Sequence, residues 1–258
     1  MIAALPMYDR PELSGAHDRF WTAIRARLGH GPPRLARTAD VWALWQHPDL
    51  LLAQTCGLPL RGALRGRVAY VGTPDYGVAC APAGYYRSIW LARRGAGPSR
   101  SAGGGRHPPR FGAAWEGARL ACNDALSQSG WAAACAAADA AGIGFGAVIL
   151  TGAHRLSAEA VADGRADLAC LDAVTWRLLE RHEPALAARL ATIGATGPTP
   201  GLPLITARNR DPAPIFEAVS GAIGALAPED RFALGLRGLV RIPLAAYEAL
   251  PLPPAPPA

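Results

Sequence analysis

The feature that most constrains this chain is a series of short apolar segments, each followed by small or polar residues and most of them separated by a helical pattern. The segments are Ile2–Leu5, Leu50–Ala53, Val68–Val71, Ala118–Cys122, Ala147–Leu150, Leu168–Leu171 and Leu204–Ala207. Short buried strands that alternate with helices are typical of open α/β sheets, whose ligand sites lie at the carboxyl ends of the strands. The pattern therefore predicts an α/β fold with its ligand contacts in the segments that follow the strands.

Helical periodicity links these segments. Between Ser14 and Leu28, the apolar residues recur at helical spacing, with His17 and Asp18 on the other side, which predicts a crossover helix that returns to the next strand. A second helix is predicted over 131–141. A third is predicted over 158–163, with Ser157 as its N-cap and Gly164 as its stop.

Composition excludes several classes of function. The chain has 258 residues and a formal charge of +6, but Arg93, Arg94, Arg100, Arg106 and Arg110 lie in one tract rich in Gly and Pro. Basic residues in such a tract predict a solvated insertion over 93–112 rather than a nucleic-acid surface. The segment 131–150 carries few charges, but its glycines and Asp139 favour a helix followed by a strand over a membrane span.

The five cysteines form no CxxC pair and have no histidine at zinc spacing. An odd number of cysteines without such motifs predicts neither a disulfide framework nor a metal site. We expect buried free thiols, no metal and no cofactor.

The stretch from Asn123 to Trp131 carries the clearest chemical signal. Ser127, Gln128, Ser129 and Gly130 stand where a strand gives way to the helix over 131–141. The first N–H groups of a helix have no internal partner and carry a partial positive charge, so hydroxyls beside a glycine suit an oxyanion. The alternative is that one of the serines only caps its own helix, which serine does often.

Further polar residues follow other predicted strands. His154 and Asp172 follow successive strands in the second half of the chain, and Tyr8 follows the first strand. A histidine or aspartate at a strand end is also common as a turn or capping group, so the pattern leaves both interpretations open.

The chain resembles a known family in six segments that occur in order. They are LPMYD at 5–9, AQTCGLP at 53–59, VGTPDYG at 71–77, ACNDALSQSG at 121–130, TGAHRLSAEAVADGRADLACLD at 151–172 and TPGLPLITA at 199–207. Together these segments resemble the phosphate, phosphite and phosphonate substrate-binding proteins of ABC importers. That family is the phosphonate-binding-protein-like branch of the type II periplasmic binding fold.

The resemblance implies a two-lobed clamp in which each lobe is a mostly parallel sheet flanked by helices, with two crossover strands as the hinge. Lobe one would comprise 1–82 and 200–250, and lobe two 83–199, followed by a proline-rich tail over 251–258 without a fold of its own. In lobe two the resemblance assigns ligand contacts to Ser127, Gln128, Ser129, Gly130, His154 and Asp172. In lobe one it assigns them to Tyr8, Gln54, Thr55 and Tyr76.

The implied function is non-catalytic capture of phosphate, phosphite or an organophosphonate in an interlobe cleft for ABC-type import. The alternatives are an enzyme on the same fold that acts on a small phosphorylated or pyrimidine-like substrate, and a cytoplasmic ligand sensor. We expect a monomer with a small oxyanion ligand and an ABC permease as partners, without nucleic acid or a membrane span. The first residues show no secretory pattern, so we expect a periplasmic protein if a leader is removed and a cytoplasmic one otherwise.

Overall fold

The computed structural model describes residues 1–37, 40–95 and 110–257 of the chain. The strands, in chain order, are β1 Ile2–Ala4, β2 Leu50–Gln54, β3 Val68–Asp75, β4 Tyr85–Tyr86, β5 Ser88–Arg93, β6 Arg119–Cys122, β7 Ala147–Leu150, β8 Leu168–Asp172, β9 Leu190–Ala195, β10 Thr199–Pro200, β11 Leu204–Ala207 and β12 Gly238–Val240. The α-helices are α1 Ser14–Leu28, α2 Val41–Trp45, α3 Gly57–Arg61, α4 Ala133–Ala141, α5 His154–Ala162, α6 Ala173–His182, α7 Pro184–Ala187, α8 Ala213–Gly224, α9 Pro228–Leu234 and α10 Leu244–Glu248. The structure also contains two 3-10 helices, Pro11–Leu13 and Ala113–Trp115, and a π-helix, Gln128–Ala132.

The described residues divide into two compact units. Unit 1 is Met1–Tyr85 with Thr199–Leu250, and unit 2 is Tyr86–Pro198 with Pro251–Ala258. The chain therefore passes from one unit to the other three times. No helix among the described residues has the length and apolar character needed to cross a bilayer.

The sheet of unit 1 has five strands in the order β1-β2-β11-β3-β12. β1 and β2 are parallel, whereas β11 is antiparallel to both of its neighbours. One face of the sheet packs on α1 and α8 through Trp21, Ile24 and Val219. The other face packs on Trp45 and Tyr247. Because both faces are covered, β2 is buried along its whole length and is apolar from Leu50 to Ala53.

The sheet of unit 2 has five strands in the order β7-β6-β8-β5-β9. The three strands β7, β6 and β8 are parallel neighbours, and β5 runs antiparallel between β8 and β9. One face carries a core around Trp90, Trp115 and Trp131, and the other packs on α5 through Val161. Since β7, β6 and β8 are parallel, the segments that follow them lie at one edge of the sheet.

Several predicted elements differ from the structure. The helix predicted over 158–163 begins at His154, and Ser157 lies inside it with its hydroxyl 2.7 Å from that of Thr151, so Ser157 is not the N-cap. The stop at Gly164 is confirmed by its position beyond the helix and its left-handed φ of 77°. His17, predicted on the side of the helix opposite the apolar residues, is buried in unit 1.

The insertion predicted over 93–112 falls mostly on residues 96–109, which lie outside the described residues. Its described flanks pack against unit 2. Arg94 donates from Nε to the carbonyl of Ala188 at 3.0 Å, and the Phe111 ring stacks on Trp90 at 3.9 Å between centroids. The prediction of buried thiols is correct for Cys122 and Cys170 but wrong for Cys80, which is exposed.

Candidate functional site

The candidate site in unit 2 is built where three adjacent parallel strands each lead into a helix. β6 leads to the π-helix at Gln128, β7 to α5 at His154, and β8 to α6 at Ala173. The N-terminal N–H groups of these helices therefore lie at the same edge of the sheet. The partial positive charge at each helix start makes this edge suited to an anion.

The serine loop, residues 123–130, is shaped by its own polar groups. The Leu126 N–H donates to the side chain of Asp124 at 2.7 Å, which turns the chain after β6. The Ser127 hydroxyl accepts from the Gly130 N–H at 3.0 Å, and the Ser127 carbonyl accepts from the N–H groups of both Trp131 and Ala132. Ser127 is thus an N-cap, as the alternative interpretation predicted. The widened π turn that follows is a feature frequent at functional sites.

Ser129 does not cap its own helix. Its hydroxyl lies 2.8 Å from Nε2 of His154, and Ser127, Gln128 and Ser129 are all at least 95 % buried. The same Nε2 atom lies 3.6 Å from Oδ2 of Asp172. Asp172 caps α6, because its Oδ1 accepts from the N–H groups of Val174 and Thr175. The structure therefore brings the serine loop, His154 and Asp172 together.

Burial sets the charge of His154. Loss of hydration lowers the pKa of its imidazole, and the nearby Asp172 carboxylate only partly offsets this. The ring is therefore neutral at neutral pH, with one nitrogen as donor and the other as acceptor.

Two buried polar atoms of this region have no hydrogen-bond partner within the part of the chain that the structure describes. They are Nδ1 of His154 and Oδ1 of Asn123. Both lie beside Gly130, since a Cβ placed on Gly130 would meet Asn123 Oδ1 and would come within 3.2 Å of His154 Cε1. Glycine is therefore the residue that fits there without movement of the Asn123 side chain.

Unit 1 has a polar cluster of its own. The Tyr8 and Tyr76 rings meet edge to face at 5.0 Å, and Gln54 Nε2 donates to the Tyr76 hydroxyl at 3.1 Å. These three residues line a cavity of about 20 Å³, the size of one water molecule. Thr55 does not line this cavity, and its buried hydroxyl has no partner among the described residues.

The sequence did not indicate His17 or Asn123 as site residues. His17 lines the same cavity of unit 1, with Nδ1 3.5 Å from Oδ1 of Asp9. Burial lowers the pKa of His17, against the opposing effect of Asp9. Within the described ranges, His, Cys, Asp and Glu form no group of three or more that could hold a metal ion.

Comparison with known proteins identifies the family of this chain. Residues 68–247 match the family model described as ABC transporter, phosphonate, periplasmic substrate-binding protein. The chain belongs to this family, and it is thus a ligand-capturing binding protein of the ABC-import type. No curated protein matches the chain.

Solved structures share the fold along nearly the whole chain. PhnD1 from Prochlorococcus marinus, in complex with methylphosphonate, has a TM-score of 0.72 at 12% identity, over 96% of this chain and 94% of that one. A binding protein component of an ABC phosphonate transporter from Pseudomonas aeruginosa has a TM-score of 0.68 at 18% identity, over 93% and 80%. XAC2383 from Xanthomonas citri, bound to chloride, has a TM-score of 0.68 at 14% identity, over 96% of each chain. The predicted type II periplasmic binding fold is confirmed.

Proposed function

We propose that this chain captures a small oxyanion, of the phosphate, phosphite or organophosphonate class, through the serine loop of unit 2. The observation that carries the proposal is the convergence of three helix starts on one edge of the sheet, with Ser129 and His154 in contact there. Backbone N–H groups and hydroxyls at these helix starts donate to the anion.

His154 and Asp172 complete the proposed contacts. The neutral imidazole supplies one donor and one acceptor, and the Asp172 carboxylate accepts a hydrogen bond from a protonated ligand oxygen or pairs with a ligand amine. Such groups favour a ligand that carries both acceptor oxygens and a donor. Tyr8, Gln54, Thr55 and Tyr76 of unit 1 are the second set of proposed contacts.

The alternative function, an enzyme, has less support because Ser129 and Asp172 contact the same nitrogen of His154. In a Ser-His-Asp triad the serine and the acid bind different nitrogens of the imidazole, so that the acid orients the ring while the serine loses its proton. Here Ser129 and Asp172 both approach Nε2. This arrangement supports non-catalytic binding over nucleophilic catalysis.

Membership of the family implies a permease as partner. We propose that the protein acts as a monomer in the periplasm and delivers its ligand to that permease. The family supports this compartment, since its members are described as periplasmic.

A thermal-shift screen with phosphate, phosphite, methylphosphonate, aminoethylphosphonate and sulfate tests the proposal. A ligand that binds only the native state stabilises it by about 2.7 kcal/mol at a hundredfold excess over Kd. We expect at least one phosphorus oxyanion to raise the Tm, and phosphorus NMR to show the same compound unchanged after prolonged incubation. Absence of a shift with all four phosphorus compounds would contradict anion capture, and consumption of the compound would contradict the non-catalytic assignment.

A further inference from the structure

The proline-rich tail of the chain has the burial pattern of a polyproline II segment. Its sequence over 251–257 is Pro-Leu-Pro-Pro-Ala-Pro-Pro, and it contains neither helix nor strand. Pro253 and Pro256 are partly buried, whereas the other residues of this segment are exposed. A spacing of three residues is the period of the polyproline II helix, so one edge of the segment faces the protein.

Trp131 anchors this tail to unit 2. Its indole Nε1 donates to the carbonyl oxygen of Pro254 at 2.7 Å, and its ring is buried in the core of the unit. The preceding residues through Leu250 belong to unit 1, so the tail joins unit 2 by this docking and not by neighbouring secondary structure. Aromatic side chains with an available N–H are the groups that recognise polyproline II segments, whose carbonyls are free of internal hydrogen bonds.

Trp131, which binds the tail, is linked to the candidate anion site through the backbone of the serine loop. Trp131 follows Gly130 directly, and its backbone N–H donates to the Ser127 carbonyl at 3.2 Å. A constraint on the Trp131 side chain therefore acts on the backbone that presents Ser129 and Gly130.

We propose that the surface of unit 2 at Trp131 is a binding site for polyproline II segments and that the chain's own tail occupies it. The docked tail holds the serine loop in its anion-binding geometry. This effect on the loop rests on the proposed function, whereas the docking itself does not. If the tail and the anion stabilise the same loop geometry, each raises the affinity of the other by the same factor.

Hydrogen exchange of the indole N–H protons tests the docking without any ligand. Trp131→Phe assigns the Trp131 signal in the full chain. The Trp115 indole, which donates to the Arg110 carbonyl at 3.2 Å in the same unit, is the internal control. In the variant Pro253→Ser/Pro256→Ser, the two partly buried prolines of the tail are removed. We expect the Trp131 indole proton of this variant to exchange at least about tenfold faster than in the wild type.

The matched variant Pro257→Ser changes an exposed proline and leaves Pro254, the acceptor of the Trp131 hydrogen bond, in place, so the Trp131 proton should keep its wild-type rate. Removal of the tail after Leu250 should accelerate exchange at Trp131 and not at Trp115, and a peptide with the sequence of 251–258 should restore protection. Equal rates in the wild type and the truncated chain would overturn the docking.

Titration with methylphosphonate then tests the coupling, once the wild type has been shown to bind it. We expect the truncated chain to bind methylphosphonate about threefold to tenfold more weakly than the wild type, because this factor corresponds to one neutral hydrogen bond. Addition of the peptide should restore the wild-type affinity. Unchanged affinity in a truncated chain whose Trp131 proton exchanges faster would overturn the coupling while the docking stands. Absence of binding by the wild type would refute the choice of ligand and leave the exchange result intact.

Discussion

At the scale of single residues, the same side chain serves both the fold and the proposed site. Asp172 caps α6 with one oxygen and lies 3.6 Å from His154 with the other. His154 occupies the start of α5, where burial keeps its ring neutral. A capping residue and a ligand contact are therefore not exclusive interpretations of a polar group at a strand end.

The lowered pKa of His154 predicts a loss of stability in mild acid. Because the histidine of the unfolded chain has the higher pKa, about 6.5, the unfolded state takes up a proton first as the pH falls below that value. The free energy of unfolding should then decrease by up to about 1.4 kcal/mol per pH unit for this group until the folded-state pKa is reached. His17, whose pKa is lowered in the same direction, adds to the effect.

Urea denaturation between pH 7 and pH 5.5 measures this dependence in the wild type and in His154→Gln. The variant should lose part of the slope, whereas His30→Gln, which changes an exposed ring, should keep all of it. Equal slopes in the wild type and His154→Gln would show that the ring is not buried as a neutral group.

At the scale of elements, the π-helix Gln128–Ala132 decides the shape of the serine loop. It places Gly130 so close to Asn123 and His154 that a Cβ there would overlap the Asn123 side-chain oxygen. The His154 ring is held by its bond to Ser129. A larger residue at this position therefore requires the Asn123 side chain to move.

Gly130→Ala should cost about 1–3 kcal/mol of stability through overpacking and should weaken anion binding, since Ser129 and His154 are displaced. Gly144→Ala is the matched control, because the nearest atom to its Cβ would be 3.8 Å away and the residue is exposed. Chemical denaturation and calorimetric titration of both variants provide the check. A Gly130→Ala protein with wild-type stability and affinity would refute the close packing at the loop.

The sequence predicted the elements that local pattern controls. The apolar runs Ala147–Leu150 and Leu168–Leu171 are both strands in the structure. Leu168–Leu171 is buried throughout, as expected for an inner strand of a covered sheet. The expectation of a buried strand is wrong for Ala147–Leu150, which is partly exposed because β7 lies at the edge of the sheet. The resemblance correctly indicated the family. The ligand contacts assigned to the loop at 127–130 remain a prediction.

Features that depend on tertiary contacts could not be predicted from local sequence patterns. The π turn arises from a hydroxyl and a carbonyl of one residue, Ser127, and serine at that position is equally compatible with an ordinary helix start. The burial of His17 depends on residues far along the chain, such as Val219 and Leu236 in the same cavity. The docking of the tail on Trp131 joins residues 123 positions apart.

At the scale of the whole molecule, the polar residues of the proposed site belong to two units with separate cores. Ser129, His154 and Asp172 belong to unit 2, and Tyr8, Gln54 and Tyr76 to unit 1. In each unit these residues are held by contacts within that unit. The two sets of residues proposed as ligand contacts can therefore be tested separately, one unit at a time.

Tyr76→Phe should therefore lower the affinity for the best ligand by about threefold to tenfold, because one hydroxyl is lost. Tyr70→Phe is the control in the same unit, since its hydroxyl bonds to Thr73 and Ile242 and serves the fold. We expect Tyr70→Phe to lower stability and to leave affinity unchanged in calorimetric titration. Wild-type affinity in Tyr76→Phe would restrict the ligand contacts to unit 2.

The most direct test of the central claim is calorimetric titration of Ser129→Ala beside Ser127→Ala, with the best ligand from the thermal screen. Ser127→Ala removes an N-cap and should cost about 1 kcal/mol of stability. Ser129→Ala removes the buried hydrogen bond to His154 and should cost about 1–3 kcal/mol of stability. It should also weaken binding by about tenfold to a hundredfold, since a hydrogen bond to a charged group is worth about 1.5–3 kcal/mol. If the wild type binds the anion and Ser129→Ala binds it equally well, the serine loop is not the anion site.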